Sequence, residues 1–147
     1  MQVLDQIDKA RRKAANQEVR VVVVSKTQPI AIMESAIAAG ITRFGENYAE
    51  EALDKMREIG NENLEWHMIG HVQSRKANLV SEHFHMVHSL NSRKLATKLN
   101  AFCSSIKRTL PVLLEVNISG ESTKYGFPAW DETRWDHDLR AYFKQLI

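Results

Sequence analysis

The segment Val21-Val22-Val23-Val24-Ser25-Lys26-Thr27 decides how the rest of the chain is read. Four consecutive valines make a β-branched run without polar alternation, the pattern of a strand buried on both faces in a parallel sheet under helices. Lys26 stands where the run ends, and Thr27-Gln28-Pro29 leads into a helical pattern. The lysine therefore leaves an apolar strand at its C-terminal mouth, the end at which α/β folds bind ligands. Apolar walls disfavour an ammonium and favour the free amine, the nucleophile that forms a Schiff base with an aldehyde.

Outward from this strand, predicted at 20–25, the pattern alternates. An amphipathic helix over 2–16 puts Val3, Leu4, Ile7, Ala10 and Ala14 on one face. Pro29 opens a second helix, with Ile30, Met33 and Ile37 together and Gly40 as its cap. Thr42-Arg43-Phe44 is a short second strand closed by Gly45-Glu46-Asn47-Tyr48. A helix over 47–59 aligns Tyr48, Ala52, Met56 and Ile59. The third strand is Glu65 to Ile69, ending at Gly70, and a shorter helix is expected over Gln73–Glu82. Met86-Val87-His88 is strand four, and Asn91 is the expected N-cap of a helix striped by Leu95, Leu99, Phe102 and Ile106. Pro111 opens strand five, Val112 to Ile118, and a loop to Phe127 leads to a last helix over 131–146.

Five strand–helix units with short connections are the signature of a parallel α/β fold. The residues permit a doubly wound sheet or part of a (β/α)8 barrel, since a full barrel needs eight units and usually more than ~200 residues. The 147 residues suffice for one domain, 1–147, with a real core. A net charge of +2 gives no ground for a nucleic-acid partner. Cys103, the one cysteine, falls on an apolar stripe and reads as a buried thiol. Met1 to Arg12 alternates apolar and charged residues without a signal-peptide core, and no apolar run reaches membrane-spanning length. A cytoplasmic protein with no membrane partner is the expectation.

Polar groups collect at the strand ends: Lys26, Asn47, Gly70 with Gln73, Ser89, and Asn117 with Ser119. In this architecture those ends share one face, so the series marks a candidate site. Other motifs fall short. Gly40 and Gly45 have P-loop spacing, but Glu46 stands where the motif needs lysine. His67, His71, His83, His85 and His88 lack partners in ligand spacing, so no metal is expected, and His83 and His85 read as a solvated turn. Asn117-Ile118-Ser119 is an incidental sequon, and Ser25 lacks the Gly-x-Ser-x-Gly frame of a hydrolase. Trp130 and Trp135 read as cover for the last helix.

Four motifs in order, Val-Ser-Lys-Thr-Gln-Pro at 24–29, Phe-Gly-Glu-Asn-Tyr at 44–48, Trp-His-Met-Ile-Gly at 66–70 with Gln73, Ser74 and Lys76, and Asn117-Ile118-Ser119 with Lys124 and Gly126, resemble the pyridoxal phosphate homeostasis proteins, the YggS family. The resemblance implies a TIM-barrel-type domain like the N-terminal barrel of alanine racemase, with about five of its eight βα units in this chain. It implies pyridoxal 5'-phosphate held as a Schiff base on Lys26. Asn47 matches a pocket residue, and His67, Ile69 and Gly70 match the motif beneath the cofactor ring. With Ser89 and Asn117 these form the expected cofactor-binding set, with no catalytic residue. The family's phosphate loops follow later strands, so the expectation is a C-terminally truncated barrel with the covalent anchor, without the anion clamp, and with two exposed sheet edges of poor stability alone.

The expected function is reversible cofactor carriage in vitamin B6 and amino-acid homeostasis, without turnover. PLP-dependent apo-enzymes are expected partners, and the chain is expected to be a monomer or weak homodimer. The alternative is a racemase-like PLP enzyme, which needs an acid/base group on each side of the ring, and Tyr48 and His67 are its candidates.

Overall fold

Strand order separates the two architectures that the residues permit. In the computed structural model, which describes residues 2–13, 18–129, 131, 137, 140–142 and 144, five strands form one parallel sheet in the order β1-β2-β3-β4-β5. A doubly wound sheet reverses its order at a switch point. The unreversed order, with a helix after each of the first four strands, is the barrel pattern.

The elements are α1 (Gln2–Lys13), β1 (Val23–Val24), α2 (Ile30–Ala38), β2 (Arg43–Glu46), α3 (Ala49–Ile59), β3 (Glu65–Met68), a 3-10 turn (Ser74–Lys76), α4 (Ala77–His83), β4 (Met86–Leu90), α5 (Arg93–Ser105) and β5 (Val112–Leu114). A separate parallel pair, β6 (Val116–Asn117) and β7 (Phe127–Pro128), follows.

Register sorts the side chains into two faces. Val23, Phe44 and Trp66 lie in one row, and Met68 pairs with Val87 on the same side. This side packs under the helices, against Met33, Ala52, Ala77, Val80, Leu95 and Leu99. Phe44 is fully buried and its ring centroid lies 5.7 Å from that of Trp66. Burial of each such side chain contributes about 1.5–3 kcal/mol. Val24, Gly45, His67 and Met86 form a row on the opposite face. At the N-terminal end of the β3–β4 seam, the His85 amide donates to Trp66 O at 2.7 Å, and the Trp66 amide donates to His85 Nδ1 at 3.0 Å.

Several expectations need correction. The valine run is not buried on both faces: Val21, Val22 and Val23 are half-buried and Val24 is 50% exposed. Among the described residues β1 pairs with β2 alone and the helices cover one side, so Val24 faces the open side. Strand two does not close at Phe44 but runs through Glu46, whose side chain enters the covered layer. Tyr48 is outside the α3 stripe, 57% exposed at the N-cap. Strand four runs to Leu90, so Ser89 lies within it rather than after it.

Ser92, not Asn91, caps α5, because Ser92 Oγ accepts from the Leu95 amide at 3.3 Å. The buried stripe of α5 is Leu95, Leu99 and Cys103, while Phe102 and Ile106 are exposed. Val3 and Leu4 on α1 are also exposed. Strand five breaks at Glu115, beyond which β6 leaves the sheet to pair with β7. Gly126, at φ +119°, permits that crossing, since a Cβ there would lie 2.7 Å from the Asn117 nitrogen. Ala14, Trp130, Trp135 and most of the expected last helix lie outside the described residues. Among the described residues no helix is long and apolar enough to cross a membrane.

Candidate functional site

The C-terminal ends of β1 to β4 gather most of the predicted residues. Ser25 extends β1, its amide donating to Gly45 O at 3.0 Å. The Gln28 amide then donates back to Ser25 O at 3.0 Å, so Lys26 and Thr27 occupy the middle of a four-residue turn. Thr27 has φ +60°, a left-handed conformation that costs a β-branched residue about 1–2 kcal/mol. Its amide donates to Glu51 Oε1 on α3 at 2.7 Å. Lys26 itself is exposed, which corrects the apolar surroundings expected for it. Among the described residues its strand lies at the edge of the sheet.

Beneath this turn lies a buried ion cluster that the sequence reading missed. Lys55 Nζ donates to Ser25 O at 2.6 Å and to Glu46 Oε1 at 2.7 Å, and it also contacts Glu51 Oε1 at 2.7 Å. All three ammonium protons are thereby placed. Ser25 Oγ donates to Glu46 Oε1 at 2.8 Å. Burial opposes the charge on Lys55, but the Glu46 and Glu51 carboxylates outweigh it and raise its pKa above the ordinary lysine range. Lys55 in turn holds Glu51 below the ordinary carboxylate range. A signal was present: residues 48, 52, 55 and 59 follow the spacing of an apolar helical stripe, and a lysine stands at 55.

Asn47 follows β2 directly, and Ile69 and Gly70 follow β3. The Ile69 amide donates to Glu46 O at 2.9 Å, and Gly70 presses against Asn47. A Cβ on Gly70 would lie 2.6 Å from Asn47 Cα and 2.9 Å from its carbonyl carbon, closer still to the oxygen. Ser89 Oγ donates to Gly70 O at 2.5 Å. Ile69 crosses the open face near Gly45, where a Cβ would meet its Cδ1 at 3.0 Å. Asn47, Ile69, Gly70 and Ser89 are therefore one packed group beside the Lys26 turn.

His67 is buried on the open face, its Nδ1 2.9 Å from His88 Nε2. Its Nε2 lies 3.7 Å from Glu65 Oε2, and Glu65 is bound by Arg43 through contacts of 2.8 and 3.2 Å. Burial keeps the pKa of His67 and of His88 below the ordinary imidazole range.

Asn117 makes its hydrogen bonds within its own loop. Its Nδ2 donates to Glu121 O at 3.0 Å, and its Oδ1 accepts from the Gly120 amide at 3.0 Å, so the side chain is spent inside its own loop. The loop reaches the rim instead through Tyr125, whose ring stacks on His71 at 3.9 Å. Asn91 Nδ2 lies 2.9 Å from His71 Nδ1. A cleft of about 310 Å³ opens beside Asn47 and Tyr48, lined also by Glu50, His71, Gln73 and Lys76.

The chain is similar to known proteins in both sequence and fold. It is 42% identical over 130 residues to the pyridoxal phosphate homeostasis protein of Escherichia coli K12, covering 85% of this chain and 56% of that protein. It is 46% identical over 103 residues to the protein of the same name from Pseudomonas aeruginosa, covering 70% of this chain and 45% of that one. The chain thus spans about half the length of these curated relatives. Among solved structures, PipY of Synechococcus elongatus without PLP superposes with a TM-score of 0.76 at 33% identity, over 95% of this chain and 63% of that chain. PipY with PLP bound gives 0.71 at 33% identity, over 95% and 62%. Alanine racemase from E. faecalis, at 17% identity and a TM-score of 0.60, shares the fold. The family model for the alanine racemase N-terminal domain matches residues 2–141, and the chain belongs to that family.

Proposed function

We propose that the protein binds pyridoxal 5'-phosphate reversibly at Lys26 and serves vitamin B6 and amino-acid homeostasis in the cytoplasm. The carrying observation is the Lys26 turn: an exposed amine at the C-terminal end of a parallel strand, on backbone fixed by hydrogen bonds from below. The PLP-bound relative and the homeostasis proteins named above support the choice of aldehyde.

The residues present fit the covalent part of this cofactor. Lys26 supplies an amine nitrogen that bonds the aldehyde carbon as water leaves, a step without redox change and open to reversal. When bound, the cofactor supplies an electron sink for carbanion chemistry. Asn47 and Gly70 bound the adjoining floor, and the glycine lets the two strand ends close on each other without a side chain between. Ser89 fixes the Gly70 carbonyl and Ile69 presents an apolar surface beside Gly45. His67 has its ring fixed on the open face of the sheet by His88 and Glu65. This group holds and releases a cofactor rather than turning over an amino acid, and PLP-dependent apo-enzymes are the recipients. The chain works as a monomer or weak homodimer.

Mixing protein and pyridoxal phosphate should give an absorbance band near ~420 nm from the protonated Schiff base. Borohydride reduction followed by peptide mapping should fix the label on Lys26. A label on another lysine, or none, overturns the site. Incubation of the loaded protein with D- or L-alanine in deuterated water should leave the α-proton in place, and sustained exchange would overturn the carrier role in favour of catalysis.

A further inference from the structure

We infer that Lys55, locked between Glu46 and Glu51, is a positioning residue for Lys26. The inference rests on the Lys26 reading above and extends it to a residue that cannot touch the cofactor. Lys55 is 6% exposed, on the helix-covered side of the sheet. Its ammonium donates to the carbonyl of Ser25, the same oxygen that accepts the turn-closing Gln28 amide. Glu51 Oε1 takes the Thr27 amide, on the other side of Lys26. The backbone before and after Lys26 is therefore clamped from α3 at two points: an ammonium on residue 25 and a carboxylate on residue 27.

The clamp has work to perform. Thr27 is held at φ +60°, which a β-branched residue adopts only when its surroundings over-determine it. Without the clamp the turn relaxes toward ordinary backbone, and the Cα of Lys26 turns with it. Glu46 has no exposed surface, and its second oxygen, Oε2, has no hydrogen-bond partner among the described residues. Its other oxygen takes both the Ser25 hydroxyl and Lys55. A buried carboxylate with a spare oxygen makes a costly way to support a helix, since an apolar pair of similar volume would serve stability as well. It makes sense as a device that fixes a backbone position in the strand that bears the reactive amine. Glu46 is itself the last residue of β2, next to Asn47, so the same cluster ties the Lys26 turn to the Asn47–Gly70 contact.

The test uses the whole chain, its Lys55→Met variant, and a temperature at which both give the same far-UV circular dichroism. Two measurements are made: hydrogen–deuterium exchange of the segment 23–30 against α5, and titration with pyridoxal phosphate. Lys55→Met should speed exchange in 23–30 about ten-fold or more while leaving α5 unchanged, and should weaken Schiff-base formation about ten-fold or more. Unchanged exchange in 23–30 overturns the inference, and so does loosened exchange with unchanged affinity, which marks Lys55 as structural only. If Lys55→Met does not fold, Glu51→Ala decides: it keeps the Lys55–Glu46 pair and removes the Thr27 acceptor. It should shift both readouts about three-fold or more in the same direction, and no shift overturns the inference. The parent protein keeps the two ideas apart. No band in the parent removes the cofactor reading, while the exchange arm still decides whether Lys55 holds the turn.

Discussion

Replacing Gly70 by alanine tests whether the strand ends form one rigid floor. The new Cβ would lie 2.6 Å from Asn47 Cα and 2.9 Å from its carbonyl carbon, against an ordinary contact of about 3.5–4.0 Å. The obstacle is backbone, so no side chain can rotate away, and one strand end must move by about 1 Å. Overpacking of this kind costs about 1–3 kcal/mol. The movement also strains the Ile69 and Gly70 amide bonds to Glu46 O, at 2.9 and 3.3 Å, and the Ser89 bond to Gly70 O. One such bond lost adds about 1 kcal/mol. The sum is about 2–4 kcal/mol, which for a chain of this size lowers the melting temperature by about 5–15 °C. Urea denaturation of the parent and Gly70→Ala gives the value directly. Gly40→Ala is the control: Gly40 sits at φ +90° with none of the described residues within 4 Å of where a Cβ would lie, so it reports conformational strain without a clash. A Gly70→Ala loss below about 0.5 kcal/mol, within the scatter of ordinary surface substitutions, would refute the packed floor.

Two further outcomes follow from the same geometry. Burial lowers the pKa of His67 and of His88, so the folded state resists protonation that the unfolded chain accepts near about pH 6.5. Their contribution is complete above that value and is lost as the pH falls, so urea midpoints should decline from pH 7 toward pH 5, and midpoints that rise over that range would contradict it. Thr27→Gly removes a strained β-branched residue, and the relief of about 1–2 kcal/mol offsets the usual glycine cost of about 0.5–1 kcal/mol. Stability should hold or rise slightly in a thermal melt, and a loss above about 1 kcal/mol would show that the threonine is not strained.

The order of elements was legible because hydrophobic runs and Gly, Pro and Asn punctuation are local. The Glu65–Ile69 strand and the helix ending at Gly60 stand close to where the pattern puts them, while of the strand expected over 20–25 only Val23 and Val24 pair as β1. What escaped was the environment of each element, which depends on neighbours far along the chain. The same four valines are compatible with a central strand and with an edge strand, and the sheet order places them at the edge. Glu46 read as turn because a carboxylate rarely ends a buried strand, and Lys55, nine residues on, neutralises it there. Asn91 and Ser92 are both good caps, and the choice fell to Ser92 because Asn91 meets His71 from another loop. In the candidate site, Lys26, Asn47 and Gly70 were readable as strand-end residues. The end of strand five before Asn117 was not legible, since the break at Glu115 has no local cue beyond the distant Gly126.

The reciprocal bonds between His85 and Trp66 carry a consequence for acid tolerance. An imidazole that accepts through Nδ1 must carry its lone proton on Nε2. Once that ring gains a second proton it has no lone pair to offer, and the Trp66 amide at the start of the β3–β4 seam loses its mate. Acidification then loosens the β3–β4 junction at its N-terminal end, the pole opposite Lys26, as well as at the His67–His88 pair within it.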